Sequence, residues 1–434
     1  MKSSRRVFAR EYVEIGIPFF RSKDVIDKSL GVFSDYDLYI SKERFDELHA
    51  LTGSPKDGDL LLSSVGNRSG IPYVVNGDGD FYFKDGNIIW ISEFDELDSN
   101  FLYYFFKSKV GQATLQSVMI GSAQKALTID AIRSLKIEVS NLTTQKATAH
   151  ILGTLDDKIE LNQKMNQTLE EIAKAIFKSW FVDFDPVRAK AEGRPTGLPP
   201  EISDLFPDEL VDSEIGEIPK RWDINTLGEH TVLTKGRSYR SAELMESDTA
   251  LVTLKSFLRG GGYRLDGLKP YTGTFKPEQV VEEGDLIIAL TDVTQAADVI
   301  GKPAIVRSSS EHSQLVASLD VGVVRLAENS FLTKEFCYFL MLSYRYTHHS
   351  LGYTSGTTVL HLAKDALAKF EICLPPTELV EQFTNLASTL MQRIFVSEKE
   401  SEMLSELRDT LLPKLISGEL RIPDAEKFLE EAGI

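Results

Sequence analysis

Two short runs place small, polar and cationic groups at equivalent points of the chain: Gly121-Ser122-Ala123-Gln124-Lys125, and Gly356-Thr357-Thr358 leading on to His361. Glycine lets a backbone approach a ligand closely, while the amide, hydroxyl, imidazole and ammonium groups can hydrogen-bond a partner or pair with an anion. Further cations stand as Arg21 with Lys23, as Lys255 with Arg259, and as Arg68 beside Asn67. Together these groups offer the chemistry of binding a polar, anionic partner. An ordinary loop before a helix accounts for either run equally well, so the recurrence of the pair gives them their weight.

Chemistry that makes or breaks bonds is hard to find. Gly301-Lys302-Pro303 lacks both the glycine-rich approach and the hydroxyl of a phosphate loop. Leu198-Pro199-Pro200-Glu201 and Leu374-Pro375-Pro376-Thr377 are not the Asn/Asp-Pro-Pro-aromatic tetrapeptide of an amino-methyltransferase. Neither His-Glu-x-x-His nor Gly-x-Ser-x-Gly occurs, and the pair His348-His349 has no acidic ligand beside it. Cys337 and Cys373 lack metal-ligand spacing and read as core thiols. The sequence predicts no catalytic residue and no metal site.

An internal repeat positions the two runs. Gly58-Asp59-Leu60-Leu61-Leu62 recurs as Gly284-Asp285-Leu286-Ile287-Ile288, and from residue 101 onward the halves match at a constant offset of 235. Each half opens with short apolar runs bounded by turn residues, among them Leu60–Val65, Tyr73–Val75, Ile88–Ile91, Leu286–Leu290 and Val321–Leu326. Helices are expected near 98–110 and 333–343. The fold class this predicts is α+β, with two homologous globular domains.

Each half closes on a long helix. Leu155, Ile159, Asn162, Asn166, Leu169, Ala173, Ile176 and Trp180 alternate spacings of four and three, the heptad seam of a coiled coil. The counterpart seam is Leu390, Ile394, Ser397, Ser401, Leu404, Arg408, Leu411 and Leu415. Antiparallel pairing about a pseudo-two-fold axis sets Asn162 and Asn166 against Ser401 and Ser397, a polar layer that penalises shifted registers. A solvated centre is the plainer alternative. Arg408 would pack its stem in the seam and reach water with its charge. The expected boundaries are 1–142 and 216–375 for the globular domains, 143–215 for the first helix with its linker, and 376–434 for the second helix and tail.

Apolar residues make up 42% of the 434 and charged residues 26%, the composition of a soluble globular chain, and no apolar run reaches bilayer-spanning length. A reducing cytoplasm is the expected compartment. The net charge of −17 argues against a protein that coats nucleic acid unaided, because phosphate neutralisation needs Lys and Arg. Residues 143–215 carry 8 basic and 14 acidic side chains and residues 376–434 carry 6 and 12, so the acidity is concentrated in the helical segments. The globular segments are nearly neutral and leave room for local basic patches.

The order of domains resembles the specificity subunit of Type I restriction–modification enzymes. So do the run from Ile172 to Lys190 with Phe177-Lys-Ser-Trp-Phe181, the stretch Gly216-Glu-Ile-Pro-Lys-Arg-Trp222, Leu374-Pro375-Pro376 leading into helix, and Leu411-Leu-Pro-Lys-Leu-Ile-Ser-Gly-Glu-Leu420. The resemblance implies two target recognition domains, each reading half of a split site in double-stranded DNA. It implies helices that space them and dock two methyltransferase subunits, with restriction and translocase subunits joining the complex. S-adenosylmethionine, Mg2+ and ATP would bind on those partners, none of them here. The expected DNA-binding residues are then Gly121, Ser122, Gln124, Lys125, Gly356, Thr357, Thr358, His361, Arg21, Lys23, Arg68, Lys255 and Arg259. The aromatic cluster at 177–181 is either core or a docking surface.

One departure stands out. Gly16-Ile17-Pro18-Phe19-Phe20-Arg21 falls where Ala250-Leu251-Val252-Thr253 lies in the second half, so the first domain begins late and is expected to lack an opening strand, or else to start further upstream. The alternative function is a coiled-coil scaffold whose two domains bind protein or carbohydrate.

Overall fold

A computed structural model describes all residues except 2–3, 32–35, 67, 122–124, 295, 432 and 434, with residue 431 described in backbone alone. The chain forms two units: Met1–Met165 with Val396–Ile434, and Asn166–Phe395. Both are α+β, and each contains part of both long helices, Leu142–Phe181 and Thr377–Ser417.

In the first unit, Leu60–Ser63 runs between Pro72–Val74 and Ile88–Ile91, antiparallel to both. A second sheet orders its strands as Tyr12–Val13, Tyr39–Ile40, Ile17–Phe20 and Tyr82–Phe83, the last two parallel. The second unit repeats this plan with more strands. Leu286–Ala289 lies between Pro303–Ile305 and Val321–Leu326, and Thr231–Lys235 extends that sheet on the far side of Val321–Leu326. Its other sheet again holds a parallel pair, Thr249–Val252 beside Gln314–Ala317. The strand Ile17–Phe20 thus stands where Thr249–Val252 does, and the first unit has no described counterpart of Thr231–Lys235.

The repeated Gly-Asp fixes the same corner twice. Gly58 and Gly284 both adopt left-handed backbone, φ +86° and +88°, which an L side chain resists. The aspartate after each is buried and held: Asp59 accepts from the Trp90 indole at 2.8 Å, and Asp285 pairs with Arg325 at 3.0 Å and Lys334 at 2.9 Å. The strands that follow, Leu60–Leu62 and Leu286–Ile288, are fully buried, and each such Leu or Ile stabilises by about 1.5–3 kcal/mol.

The helices expected near 98–110 and 333–343 both break at a serine. Ser108 and Ser343 are extended, and their hydroxyls accept from the amides of Gly111 at 3.0 Å and Tyr346 at 3.3 Å, so each starts a new helix.

Within the first unit the long helices run antiparallel. Asp156 meets Arg408, Lys158 meets Glu400, and Asn162 Nδ2 donates to Glu400 at 3.0 Å and Ser401 at 3.3 Å. Ile151, Leu152, Leu155, Leu404, Leu411 and Leu415 are buried around them. Arg408 gains partners that the sequence expectation did not name. With 17% of its side chain exposed, its charge meets Asp156 at 2.5 Å and Asp409 at 2.8 Å, and Asp156 also accepts from Tyr104 at 2.9 Å. A carboxylate on the facing helix neutralises this seam charge.

In the second unit Phe177, Trp180 and Phe181 pack against Phe383 at ring separations of 5.3 to 6.4 Å, with Phe336 and Trp222 alongside. The cluster at 177–181 is therefore core in this unit. Cys337 and Cys373 are free and buried, and burial pushes both thiols up to about 12. No helix among the described residues is long and apolar enough to cross a membrane.

Candidate nucleic-acid interface

Both predicted loops leave the same kind of small antiparallel sheet. In the second unit Leu360–Leu362 lies between Thr291–Asp292 and Thr354–Ser355, with His361 opposite both Thr291 and Ser355. In the first unit single bridges join Ala126 to Val65 and to Ile120. Adding 235 to Ala126 and Ile120 gives His361 and Ser355, so the device occurs twice. Residues 356–359 join the strands in the second unit, and Gly121 and Lys125 are the described residues between Ile120 and Ala126 in the first.

Both loops begin on a glycine that must be glycine. Gly121 has φ +104° and Gly356 φ +112°, and a Cβ on Gly356 would sit 2.1 Å from the Val359 carbonyl oxygen. Thr357, Thr358 and His361 are all exposed. Ser122 and Gln124 lie outside the described residues.

A second loop joins each sheet. In the first unit the Gly66 amide donates to the Lys125 carbonyl at 3.2 Å, which brings the turn carrying Arg68 against Lys125. Arg68 and Lys125 are exposed, and among the described residues neither side chain has an acidic partner. In the second unit the equivalent turn is 293–300, and Asp292 holds it. The wholly buried Asp292 carboxylate accepts from the amides of Thr294 at 2.7 Å, Val299 at 2.7 Å and Ile300 at 3.2 Å. Burial raises its pKa, but the amides of Val299 and Thr294, the Thr294 hydroxyl and the Ile300 amide outweigh that and hold it below the usual carboxylate range.

Arg259 joins this second cluster. It is 83% exposed and lies 3.6 Å from Asp298, and the Gly260 amide donates to the Asp298 carbonyl. Lys255 is exposed on the neighbouring turn Leu254–Ser256, whose start Thr253 caps. Arg21 and Lys23 are placed differently. Arg21 caps the helix Ser22–Ser29 and pairs with Asp24 at 3.2 Å and Asp37 at 2.5 Å, while Lys23 approaches Asp37 at 3.6 Å. The hydrogen bonds that Arg21 donates to Asp24 raise its pKa, desolvation opposes this, and the bond donated to Asp37 adds to the rise. These two cations are engaged locally; Arg68, Lys125 and Lys255 are not.

Sequence reasoning passed over Asp292. The signal was an aspartate two residues before a threonine after a buried strand, the pattern of a side chain that caps its own turn.

Residues 15–171 match the family model described as the Type I restriction modification DNA specificity domain. The chain is 26% identical over 427 residues to the Type I restriction enzyme MjaIX specificity subunit of Methanocaldococcus jannaschii, covering 96% of this chain and 89% of that one. It is 27% identical over 414 residues to the Type I restriction enzyme HindI specificity subunit of Haemophilus influenzae, covering 84% and 87%. In fold it is similar to the crystal structure of a Type I restriction–modification S subunit from M. genitalium, with a TM-score of 0.54 at 15% identity over 96% of this chain and 92% of that chain.

Proposed function

We propose that the chain, similar over nearly its whole length to Type I restriction enzyme specificity subunits, acts as one and selects a split site in double-stranded DNA, each globular domain reading one half. The observation that carries this reading is the antiparallel pairing built at equivalent places in both units. It is a small sheet with the exposed glycine-led loop 356–359 in the second and single bridges beside Gly121 and Lys125 in the first, each next to a cation-bearing or cation-adjacent turn. Recognition of base edges suits such loops, since a good bidentate contact discriminates by about 1–3 kcal/mol. Arg68, Lys125 and Lys255 supply phosphate contacts, which hold register without reading sequence.

Catalysis belongs to partners in this reading. Two methyltransferase subunits dock on the chain and bring S-adenosylmethionine, and restriction subunits bring the ATP- and Mg2+-dependent steps. The acidic helical segments keep DNA off the helices, so partner subunits make most of the phosphate contacts. The cytoplasm is where such a complex would meet its DNA. The scaffold alternative loses its ground, because near full-length similarity runs to specificity subunits.

An electrophoretic shift tests the proposal. With its methyltransferase subunits the chain is expected to retard duplex DNA in a salt-dependent way. The combined change Thr357→Ala, Thr358→Ala and His361→Ala is expected to weaken specific binding at least tenfold while leaving methyltransferase docking intact. No shift, or a shift indifferent to the triple change, would contradict it.

A further inference from the structure

The small sheet of the second unit ends on two exposed valines. Thr291 lies opposite His361, and Asp292 opposite Leu360. The next residues on the two strands are Val293 and Val359, so both leave the ladder at the same end. Asp292 is fully buried and Leu360 packs against the core of the unit. Side chains alternate across a strand, and Val293 and Val359 accordingly turn outward, 67% and 38% exposed. Each belongs to one of the two loops proposed to read bases: Val293 opens the turn 293–300, and Val359 closes the loop 356–359.

The backbone holds both valines out. Val293 stands between the buried Asp292 and Thr294, whose amide and hydroxyl donate to the Asp292 carboxylate at 2.7 and 2.8 Å. On the other loop Gly356 lies so close to the Val359 carbonyl that only glycine fits there. A β-branched side chain is stiff, so each valine presents its methyl groups at little entropic cost. Two short side chains fall far below the roughly 800 Å2 per partner of a stable protein interface. Nor does valine have the reach of the Phe, Leu, Ile or Met that wedges between base pairs. A methyl group on a base edge matches the patch in size. The repeat adds an independent observation, because Val65 and Ala126 are bridged in the first unit as Thr291 and His361 are paired in the second. The sequence positions that match Val293 and Val359 are there Asn67 and Gln124, which lie outside the described residues. One half of the chain thus carries apolar groups where the other carries amides. Apolar groups suit the thymine methyl and amides suit the adenine edge, a contrast expected of two heads that read different bases.

Given the DNA-reading function above, on which this step rests, we propose that Val293 and Val359 read a pyrimidine C5-methyl group in the half-site bound by the second domain. Thymine is the expected source. Its methyl group is displayed in the major groove alone, where an apolar contact separates it from cytosine. The same group on 5-methylcytosine lies in the same groove and satisfies the same contact. Arg259 and Lys255 on the neighbouring turns are placed to hold the backbone while the valines meet the base.

The probe is a fluorescein-labelled duplex carrying the split motif that depends on this gene, titrated by anisotropy into the chain assembled with its methyltransferase subunits. Each thymine is replaced in turn by deoxyuridine, which removes only the methyl group. In a second series each cytosine is replaced by 5-methylcytosine. At a thymine of one half-site, loss of the methyl group should weaken binding about fourfold, the worth of one buried methylene. Val293→Ser or Val359→Ser should then bind the thymine and uracil duplexes alike, with methyltransferase docking unchanged. Tighter binding on methylation of one cytosine, erased by the same changes, would support the contact with 5-methylcytosine as its source. The proposal falls if no position of the duplex responds to either exchange, or if both serine variants keep the response of the parent. It also falls if these variants release the methyltransferase subunits, which would make the pair a protein-docking surface. Failure of the parent assembly to bind the duplex at all would refute the DNA-reading function itself, and this contact with it.

Discussion

Asp292 illustrates how one carboxylate can set the shape of a reading loop. Three backbone amides and a hydroxyl converge on it, so Asp292→Ala leaves buried donors unpaired, at a cost of about 1–3 kcal/mol at neutral pH. A carboxylate whose pKa falls on folding stabilises the fold above its unfolded value of about 3.9, and that contribution disappears as the pH drops through the folded value. Urea unfolding should therefore show the variant weaker than the parent at pH 7, with the gap narrowing below about pH 4. A gap that does not change with pH would contradict this role. At the residue scale the sequence exposed Gly121 and Gly356, because their positive φ admits little else, and it exposed the repeated Asp59 and Asp285. It could not separate Arg21 from Arg68. Both are surface arginines, and only the fold brings Asp37 to the first while giving the second no acidic partner among the described residues.

The long helices were the most legible elements. A heptad seam is local in sequence, and Leu142–Phe181 and Thr377–Ser417 contain the two expected seams. The pairing of Asn162 with Ser401 also follows from antiparallel register. What spacing could not convey was the neutralisation of Arg408, because Asp156 lies off the seam on the facing helix and 252 residues away. Asn162 is 1% exposed and its amide serves both Glu400 and Ser401, so Asn162→Ala should lower stability by about 1–3 kcal/mol in denaturant unfolding. An unchanged midpoint would mean that the polar layer is solvated. Strand ends were less legible than helices. The expected runs Leu60–Val65 and Leu286–Leu290 contain the strands Leu60–Ser63 and Leu286–Ala289, and the remainder turns into the small sheets that carry the loops.

The repeat is the organising fact at the scale of the whole molecule. One plan of sheet, broken helix pair and glycine-led turn occurs in both units, and among the described residues Thr231–Lys235 of the second unit has no counterpart in the first. The match of Gly16–Arg21 with Ala250–Thr253 was visible in the sequence, and Ile17–Phe20 and Thr249–Val252 each enter a parallel strand pair. Two separate readers on one chain give a split site, and each should be separable by changing one loop. The most direct test is a map of N6-methyladenine across the host genome with the gene intact, deleted, or carrying Thr357→Ala, Thr358→Ala and His361→Ala. One split motif should be present with the intact gene and vanish on deletion, and the loop variant should relax or abolish one half while the other half stays as it was. A map in which no split motif depends on the gene, or in which the loop change alters both halves together, would contradict the account.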